Sequence, residues 1–427
     1  MTRPSTFARY VDRLEVVAAA EAAGLERTQV LQVIAELDDA VAAVDGHGFA
    51  VTPFLRQRQL ADAVGLDASA SLWVKDETGN VSGSHKGRHL FGVALGLALN
   101  EALSARSAPL VDEPDRLAIA SCGNAALAAA VIAAASHRPL DVFVPDWADR
   151  TVTDEIERLG ASVVRCARRD GRLGDPAYHA MVEALDAGAT GFSCQGTDTP
   201  TTIDGARTLA YEMLDQVDSG LDRLVIQVGG GALATALVTG LRLGADAPLP
   251  IVHAVQPDGN HPLVRAWDRV MAELAGQQPS TNRERQTAAA NLGPATDAVR
   301  EAVMARLQAN PDRYMEPWPV PPVSYATGIL DDVTYDWVWI IDAMLASGGF
   351  PVVVDDPDFR AAHRLGQEQT GIAVCPTGAS GLAGLLVLTR QLGMTFAGEQ
   401  VALVFSGHQR AGDPAPNGAL AGPPLPD

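Results

Sequence analysis

The chain has 427 residues, of which 47% are hydrophobic, and it carries a formal net charge of −20. This length suggests two to three domains or one large two-lobed enzyme, and the negative charge argues against a nucleic-acid partner. There is no long apolar run, no secretion-like N-terminus and no paired cysteine motif, which predicts a cytoplasmic protein without a membrane partner or a metal site.

Strand-like and helical patterns alternate along the chain, after a helical N-terminal region at residues 7–44. We predict strands at 71–75, 117–121, 140–145, 162–166, 224–228, 251–255, 351–355 and 401–405. We predict helices at 90–103, 125–135, 152–159, up to 187, 204–218 and 232–243. We expect residues 277–291 to form an exposed loop or a loose helix, and residues 310–324 to form an irregular loop that is a candidate lid. The alternation predicts parallel sheets covered by helices on both faces.

Lysine occurs only at Lys75 and Lys86, whereas the other 30 basic residues are arginines. Arginine cannot form a Schiff base, while a desolvated lysine can lose its proton and attack a carbonyl. Lys86 lies in residues 82–88 (SGSHKGR), between a strand-like run and a helical run. A surface lysine at a helix start is the plain interpretation, and the remaining motifs favour a catalytic one.

Three further motifs lie at strand–helix or loop–helix junctions: residues 121–126 (SCGNAA), 228–233 (VGGGAL) and 375–380 (CPTGAS). A glycine loop at a helix N-terminus can bind a phosphate, and the SCGNAA turn can bind a carboxylate in the same way. Thr377 can hydrogen-bond a ring nitrogen, and Lys86 can hold an aldehyde. Each motif alone could be a tight turn or a helix cap. Together they describe pyridoxal 5'-phosphate with an amino acid substrate.

With residues 75–88 (KDETGNVSGSHKGR), these motifs resemble the tryptophan-synthase-β-like, or fold-type-II, family of pyridoxal-phosphate enzymes over residues 52–407. The motifs are nearest to threonine and serine dehydratases and ammonia-lyase-like members. The resemblance implies an α/β fold of two lobes, each with a mostly parallel open sheet covered by helices and with the cofactor in the cleft between them. It implies an N-terminal helical extension at 1–48, a large cofactor-phosphate-binding domain at 49–84 and 205–411, a small nested domain at 85–204 that carries the lysine and the carboxylate loop, and a disordered tail at 412–427.

The resemblance also implies a role for each matching residue. Lys86 would be the Schiff-base lysine and the acid–base at the substrate α-carbon, and Ser121 is the other catalytic candidate; Ser84 could also touch the cofactor. The implied cofactor-binding residues are Lys86, His85, Asn124, Gly229, Gly230, Gly231, Ala232 and Thr377. The implied substrate-binding residues are Ser121, Cys122, Gly123, Asn124 and Ala125.

The chain departs from the family pattern at three positions. His85 precedes the lysine where dehydratases carry Phe, as in the tryptophan synthase β subunit. Ala232 replaces the fourth glycine of the phosphate loop, and Cys375 stands where a glutamate is usual. The chain is therefore interpreted as a member of a divergent subgroup.

The resemblance implies a lyase that abstracts the α-proton of an amino acid and eliminates its β-substituent, giving a keto acid and ammonia. β-Replacement of the cysteine synthase or tryptophan synthase β type is the alternative, and a non-catalytic pyridoxal-phosphate-binding protein is another. Threonine-synthase-like chemistry is a third, for which we locate no substrate-phosphate site. We expect a homodimer with a small amino acid as its substrate.

Overall fold

The computed structural model describes residues 5–105, 115–168, 174–245 and 247–416. Residues 417–427, the last eleven of the predicted disordered tail, lie outside these ranges, and the prediction for them stays a prediction. The helices are α1 (Thr6–Arg9), α2 (Glu15–Ala22), α3 (Arg27–Asp45), α4 (Arg58–Val64), α5 (Lys86–Ser104), α6 (Asn124–Ala135), α7 (Arg150–Arg158), α8 (Pro176–Asp186), α9 (Thr201–Gln216), α10 (Ala232–Gly244), α11 (Pro262–Ala275), α12 (Asn282–Leu292), α13 (Asp297–Ala309), α14 (Pro311–Tyr314), α15 (Trp337–Ser347), α16 (Asp356–Thr370) and α17 (Ser380–Leu386).

The strands form two separate sheets. They are β1 (Phe54–Arg56), β2 (Ser71–Asp76), β3 (Leu117–Ala120), β4 (Leu140–Pro145), β5 (Ser162–Cys166), β6 (Thr190–Gly191), β7 (Arg223–Gln227), β8 (Ile251–Pro257), β9 (Val352–Val354) and β10 (Gln400–Phe405). One sheet has the order β1-β2-β10-β7-β8-β9, and the other has the order β5-β4-β3-β6. Every pairing is parallel except that of β1 with β2.

The larger sheet is buried on both faces, as its sequence pattern predicts. All five residues of β7 are buried, and so are the last five of β10. Such continuous apolar strands are typical of parallel sheets with helices on both sides. The predicted α/β class with two helix-covered, mostly parallel sheets is therefore confirmed. The domain boundaries inferred from the sequence stay a prediction.

The N-terminal helices pack into the core beside the smaller sheet. The Phe7 ring lies 5.1 Å from that of Phe49 and 4.2 Å from that of Phe91, measured between ring centroids. Phe91 belongs to α5, the helix that begins at Lys86. The N-terminal region therefore supports the helix that carries the candidate catalytic lysine.

Helices α5 and α9 approach each other closely at a pair of glycines. A Cβ atom added to Gly205 would lie 2.6 Å from the Arg88 carbonyl oxygen and 2.6 Å from the Gly92 Cα. Any larger side chain would separate the two helices. This contact holds the first turn of α5 against α9.

Two predictions of local structure need adjustment. Residues 282–292 form a regular helix, α12, because Thr281 and Glu284 form a reciprocal capping box at its N-terminus. Helix α5 begins at Lys86 and not at residue 90, so the lysine lies in the first helical turn. None of the helices in the described ranges has the length and apolar character that crossing a membrane requires.

Candidate active site

Three of the four sequence motifs lie at the carboxyl ends of parallel strands. The Lys86 turn follows β2, the SCGN turn follows β3, and the glycine loop follows β7. Ligands of open α/β sheets bind at this edge. The structure therefore brings the motifs to the edge where a cofactor is expected.

The backbone on either side of Lys86 is held by the segment that follows β10. The His85 N–H donates to the Ser406 carbonyl oxygen at 3.0 Å, and the His408 N–H donates to the Gly83 carbonyl oxygen at 2.8 Å. Ser84 pairs with Gly407 in an antiparallel bridge. These bonds fix the direction in which α5 starts, and hence where the Lys86 side chain begins.

Two buried polar atoms next to Lys86 have no hydrogen-bond partner in the described part of the chain, namely Ser84 Oγ and His85 Nε2. His85 Nδ1 lies 3.0 Å from the Ser406 carbonyl oxygen, which can only accept, so Nδ1 carries the proton. Burial and the charge of Lys86 lower the pKa of His85 to about 3. The imidazole is therefore neutral, and its Nε2 is a free hydrogen-bond acceptor. An acceptor suits a donor group of a ligand, such as a hydroxyl, better than the oxygens of a phosphate.

Two carboxyl groups from the segment before α15 lie within the electrostatic reach of Lys86. Burial raises the pKa of Asp331 to about 6 and that of Asp336 to about 6, and the Lys86 charge partly opposes both shifts. Asp336 Oδ2 accepts the Gly196 N–H at 3.0 Å. The cleft around Lys86 is therefore acidic, a feature that the sequence analysis missed.

The glycine loop has the geometry of an anion-binding turn. Gly231 has φ +100° and is the N-cap residue of α10, whose first N–H groups lack helical partners. A Cβ atom on Gly229 would lie 2.5 Å from Asp331 Oδ2. The Asp331 carboxylate accepts a hydrogen bond from the Gly230 N–H. The Gly230 N–H is taken by Asp331, whereas the unpaired N–H groups at the start of α10, from Ala232 onward, suit the oxygens of an anion such as phosphate.

The SCGN turn places free amides at the start of α6. Ser121 Oγ accepts the Gly123 N–H at 3.4 Å, and the Ser121 N–H donates to the Phe143 carbonyl oxygen at 3.1 Å. The first N–H groups of α6, at and after Asn124, have no helical acceptor and can hold a carboxylate. Burial raises the pKa of the Cys122 thiol to about 11, so Cys122 is a neutral thiol at physiological pH.

Thr377 is oriented by a neighbouring backbone group. Its Oγ1 accepts the Gly328 N–H at 2.9 Å. The hydroxyl proton therefore remains free to donate, which is the arrangement that a pyridine nitrogen requires. Gly328 is needed for this approach, since a Cβ there would lie 2.9 Å from Thr377 Oγ1.

Asn124 is held by a residue that the sequence analysis did not single out. Arg410 Nη2 lies 3.1 Å from Asn124 Oδ1. No sequence signal marked Arg410, which follows the last strand in an irregular segment. A lone arginine becomes informative only when its partners are known.

The second lysine lies in a buried ionic cluster next to the site. Lys75 Nζ lies 2.6 Å from Glu212 Oε2 and donates to the Thr52 carbonyl oxygen at 2.7 Å. Arg88 contacts Glu212 and Glu77 at 2.7 and 2.8 Å. All four charged side chains are 0% exposed, so the cluster is structural and its charges balance.

The residues around Lys86 fit pyridoxal phosphate: an anion-binding loop, a free hydroxyl donor at Thr377, and unpartnered polar atoms beside the lysine. In the described residues, no group of three or more His, Cys, Asp or Glu side chains is arranged to hold a metal ion.

Comparison with known proteins agrees with this geometry. The family model described as "Pyridoxal-phosphate dependent enzyme" matches residues 47–310, more than half of the chain. Threonine synthase of Methanosarcina acetivorans is 24% identical, over 84% of this chain and 74% of the synthase. Serine racemase of Oryza sativa subsp. indica is 24% identical, over 62% of each chain.

The fold also matches a solved structure. Diaminopropionate ammonia lyase from Escherichia coli superposes with a TM-score of 0.61 at 17% identity, covering 90% of this chain and 89% of that one. The chain therefore belongs to the pyridoxal-phosphate dependent enzyme family, of the fold-type-II class, and its cofactor is pyridoxal 5'-phosphate.

Proposed function

We propose that this enzyme is an amino acid lyase that removes the α-proton and a β-substituent, and releases a keto acid and ammonia. The observation that carries the proposal is the environment of Thr377, whose Oγ1 accepts the Gly328 N–H at 2.9 Å. A hydroxyl in this position donates one hydrogen bond to a ring nitrogen and does not transfer a full proton. Weak electron withdrawal favours prompt loss of a leaving group over a long-lived carbanion.

Each motif has a role in this proposal. When bound, pyridoxal phosphate supplies the electron-accepting ring that stabilises negative charge at the substrate α-carbon. The loop of Gly229, Gly230, Gly231 and Ala232 holds its phosphate through the unpaired backbone amides at the start of α10, and the Asn124 amide donates to its ring hydroxyl. Lys86 anchors the cofactor and, as a free amine, takes the α-proton of the substrate.

The substrate carboxylate binds at the start of α6. Ser121, Cys122, Gly123, Asn124 and Ala125 form this turn, where unpaired N–H groups and the helix dipole attract an anion. With the carboxylate held there, the α-carbon is oriented toward Lys86. Ser121 contributes its hydroxyl to this turn as the second proposed catalytic group.

The relatives differ in the reactions that their names state, since they include a synthase, a racemase and an ammonia lyase. The elimination proposal therefore depends on Thr377 and not on these names. β-Replacement remains the alternative, because His85 before the lysine resembles the tryptophan synthase β subunit. We further propose a cytoplasmic homodimer.

The test is a product analysis of the purified holoenzyme. L- and D-serine, L-threonine and 2,3-diaminopropionate would be offered separately, and keto acid and ammonia measured over time. Serine and threonine should give one ammonia per keto acid, and 2,3-diaminopropionate should give two, because its β-substituent is itself an amine. We expect one of these amino acids to give both products. A thiol or indole would then be added, because diversion of the keto acid into a new amino acid would identify β-replacement.

Two variants of Thr377 sharpen this test. Thr377→Ser keeps the hydroxyl and should keep elimination, while Thr377→Asp can protonate the ring nitrogen and should lower elimination at least about tenfold. Chiral chromatography of the recovered substrate would detect racemisation. Equal elimination by both variants, or a racemised substrate without keto acid, would contradict the proposal. A bound cofactor without any turnover would favour the non-catalytic alternative.

A further inference from the structure

Arg410 joins the turn before Lys86 to the start of α6. Its Nη2 donates to the Ser82 carbonyl oxygen at 2.7 Å and to Asn124 Oδ1 at 3.1 Å. Its Nε lies 3.3 Å from the same Asn124 oxygen. One guanidinium therefore contacts the lysine turn of one sheet and the carboxylate-binding helix of the other.

These contacts determine which way the Asn124 amide faces. A guanidinium has donors and no acceptor, so the Asn124 atom that it contacts must be the carbonyl oxygen. The amide NH2 group then points away from Arg410. A Cβ atom on Gly407 would lie 2.7 Å from Asn124 Nδ2, so this NH2 group lies against the backbone that borders Cys375.

The other partner of Arg410 is a strained residue. Ser82 has φ +59°, the left-handed conformation that side chains other than glycine rarely adopt. Arg410 binds its carbonyl oxygen, and the Asp45 carboxylate accepts its N–H at 3.2 Å. Because strain persists only where the surroundings hold it, Arg410 helps to keep the turn four residues before Lys86 in place.

We propose that Arg410 is a positioning residue for the cofactor. It fixes the Asn124 amide with its NH2 group toward the cofactor's ring oxygen, and it places a positive charge behind that amide. This favours the ionised form of the ring oxygen. The proposal rests on the role of Asn124 in the proposed function, and it adds a residue that neither the motifs nor the resemblance assigns.

The other side of Arg410 is reachable from outside. It borders a cavity of about 330 Å³, which is also lined by Asp45, His47, Ser82 and His408. A small cation can enter a cavity of this size. The guanidinium group can therefore be removed by mutation and supplied again from solution.

The first experiment compares Arg410→Met with Arg410→Lys. The bound cofactor would be removed from each purified enzyme, the protein titrated with pyridoxal phosphate, and the visible spectrum of the reconstituted holoenzyme recorded from pH 6 to 9. Arg410→Met should bind the cofactor about tenfold more weakly, and its visible band should change at a higher pH than in the wild type. Arg410→Lys keeps the charge without the forked geometry, so its spectrum should change less. Wild-type affinity and spectrum in Arg410→Met would overturn the proposal.

A double mutant separates positioning from general support of the fold. In an Asn124→Ala background, Arg410→Met should cost much less cofactor affinity than it does in the wild type, because Arg410 acts chiefly through Asn124 and only its bond to the Ser82 carbonyl oxygen remains to be lost. Independent, additive losses would overturn the proposal. If Asn124→Ala alone has no effect, the role of Asn124 in the proposed function fails, and this inference fails with it. An effect of Asn124→Ala without an effect of Arg410→Met refutes this inference alone.

Chemical rescue gives a readout that a folding defect would not show. Arg410→Ala would be titrated with guanidinium chloride at millimolar concentrations, far below those that unfold proteins. We expect cofactor affinity and the wild-type pH dependence of the visible band to return in part. Sodium chloride at the same ionic strength is the control. Rescue by both salts, or by neither, would count against a specific role of the guanidinium.

Discussion

The two lysines of this chain lie eleven residues apart, and their environments differ in burial and in hydrogen-bond partners. Lys75 is fully buried, and its ammonium donates to Glu212 and to a backbone carbonyl. Lys86 is partly buried, and beside it lie two buried atoms, Ser84 Oγ and His85 Nε2, that have no hydrogen-bond partner among the described residues. Lys75 is therefore structural, because its ammonium group has hydrogen-bond partners inside the protein. Lys86 is the candidate for catalysis, because polar atoms beside it remain available to a ligand.

The cluster around Lys75 shows why a buried charge can be tolerated. Burial alone would raise the pKa of Glu212, but the charges of Arg88 and Lys75 outweigh it and lower the pKa to about 2. Burial lowers the pKa of Lys75, and the Glu212 charge opposes this shift. Paired and hydrogen-bonded charges persist in an interior, and loss of one partner is costly. Within the described part of the chain, Asp331 forms no ion pair, and burial raises its pKa instead.

The largest expected effect is that of Lys86→Ala. We expect a loss of keto acid formation of at least about a thousandfold, and loss of the visible band of the bound cofactor. The free energy of unfolding in urea should change by less than about 1 kcal/mol. Borohydride reduction of the wild-type holoenzyme, followed by peptide mapping, should label Lys86 and leave Lys75 unlabelled. A label on Lys75, or full activity in the Lys86→Ala variant, would contradict the assignment of Lys86 as the catalytic lysine and Lys75 as the structural one.

Lys75→Met should act on stability instead. It removes one of the two cations that neutralise Glu212, so the free energy of unfolding should fall by about 3 kcal/mol. The measurement is urea denaturation followed by circular dichroism. The double variant Lys75→Met with Glu212→Gln should be more stable than the sum of the single losses predicts. Strictly additive losses would show that the two side chains do not interact.

Asp331→Asn should change how stability depends on pH. The pKa of Asp331 is raised to about 6, so the native state binds a proton more tightly than the unfolded chain does. Its contribution to stability is therefore present at low pH and is lost as pH rises through about 6. In cofactor-free protein at pH 7.5, the variant should be about 2 kcal/mol more stable than the wild type, and at pH 4 the difference should vanish. An unchanged difference between pH 4 and 7.5 would contradict this.

The smallest expected effect is that of Thr6→Val, which keeps the side-chain shape and removes a hydrogen bond to the cluster. Thr6 Oγ1 donates to Glu212 Oε1 across the contact between the N-terminal helices and α9. Loss of this bond should cost about 1 to 2 kcal/mol in urea denaturation, because its acceptor is charged. Keto acid formation should stay within about twofold of the wild type, since the ion pairs of the cluster remain. A larger loss of activity than of stability would link the N-terminal helices directly to the site.

Much of the fold was predictable because its strands are short apolar runs between helical patterns. The predicted strand at 162–166 matches β5, and the helix predicted from residue 232 begins there as α10. The start of α5 was not predictable, since it depends on a contact with Ser406, whereas the start of α12 has a local sequence signal, the capping box of Thr281 and Glu284. Many of the candidate site residues were predictable for the same reason, because the glycine loop and the SCGN turn are short local sequence patterns.

The sequence by itself determined the class of protein, the cofactor and the four motifs, since each is a local pattern at the end of a strand or the start of a helix. Only the tertiary structure decided which lysine has its partners, which way the Asn124 amide faces, and that Asp331 and Arg410 lie at the site. Those facts depend on side chains between 100 and 330 residues apart in the chain, such as Lys75 with Glu212 and Arg410 with Ser82. Neither composition nor periodicity encodes contacts at that separation, because they arise only when the two sheets and their helices pack together.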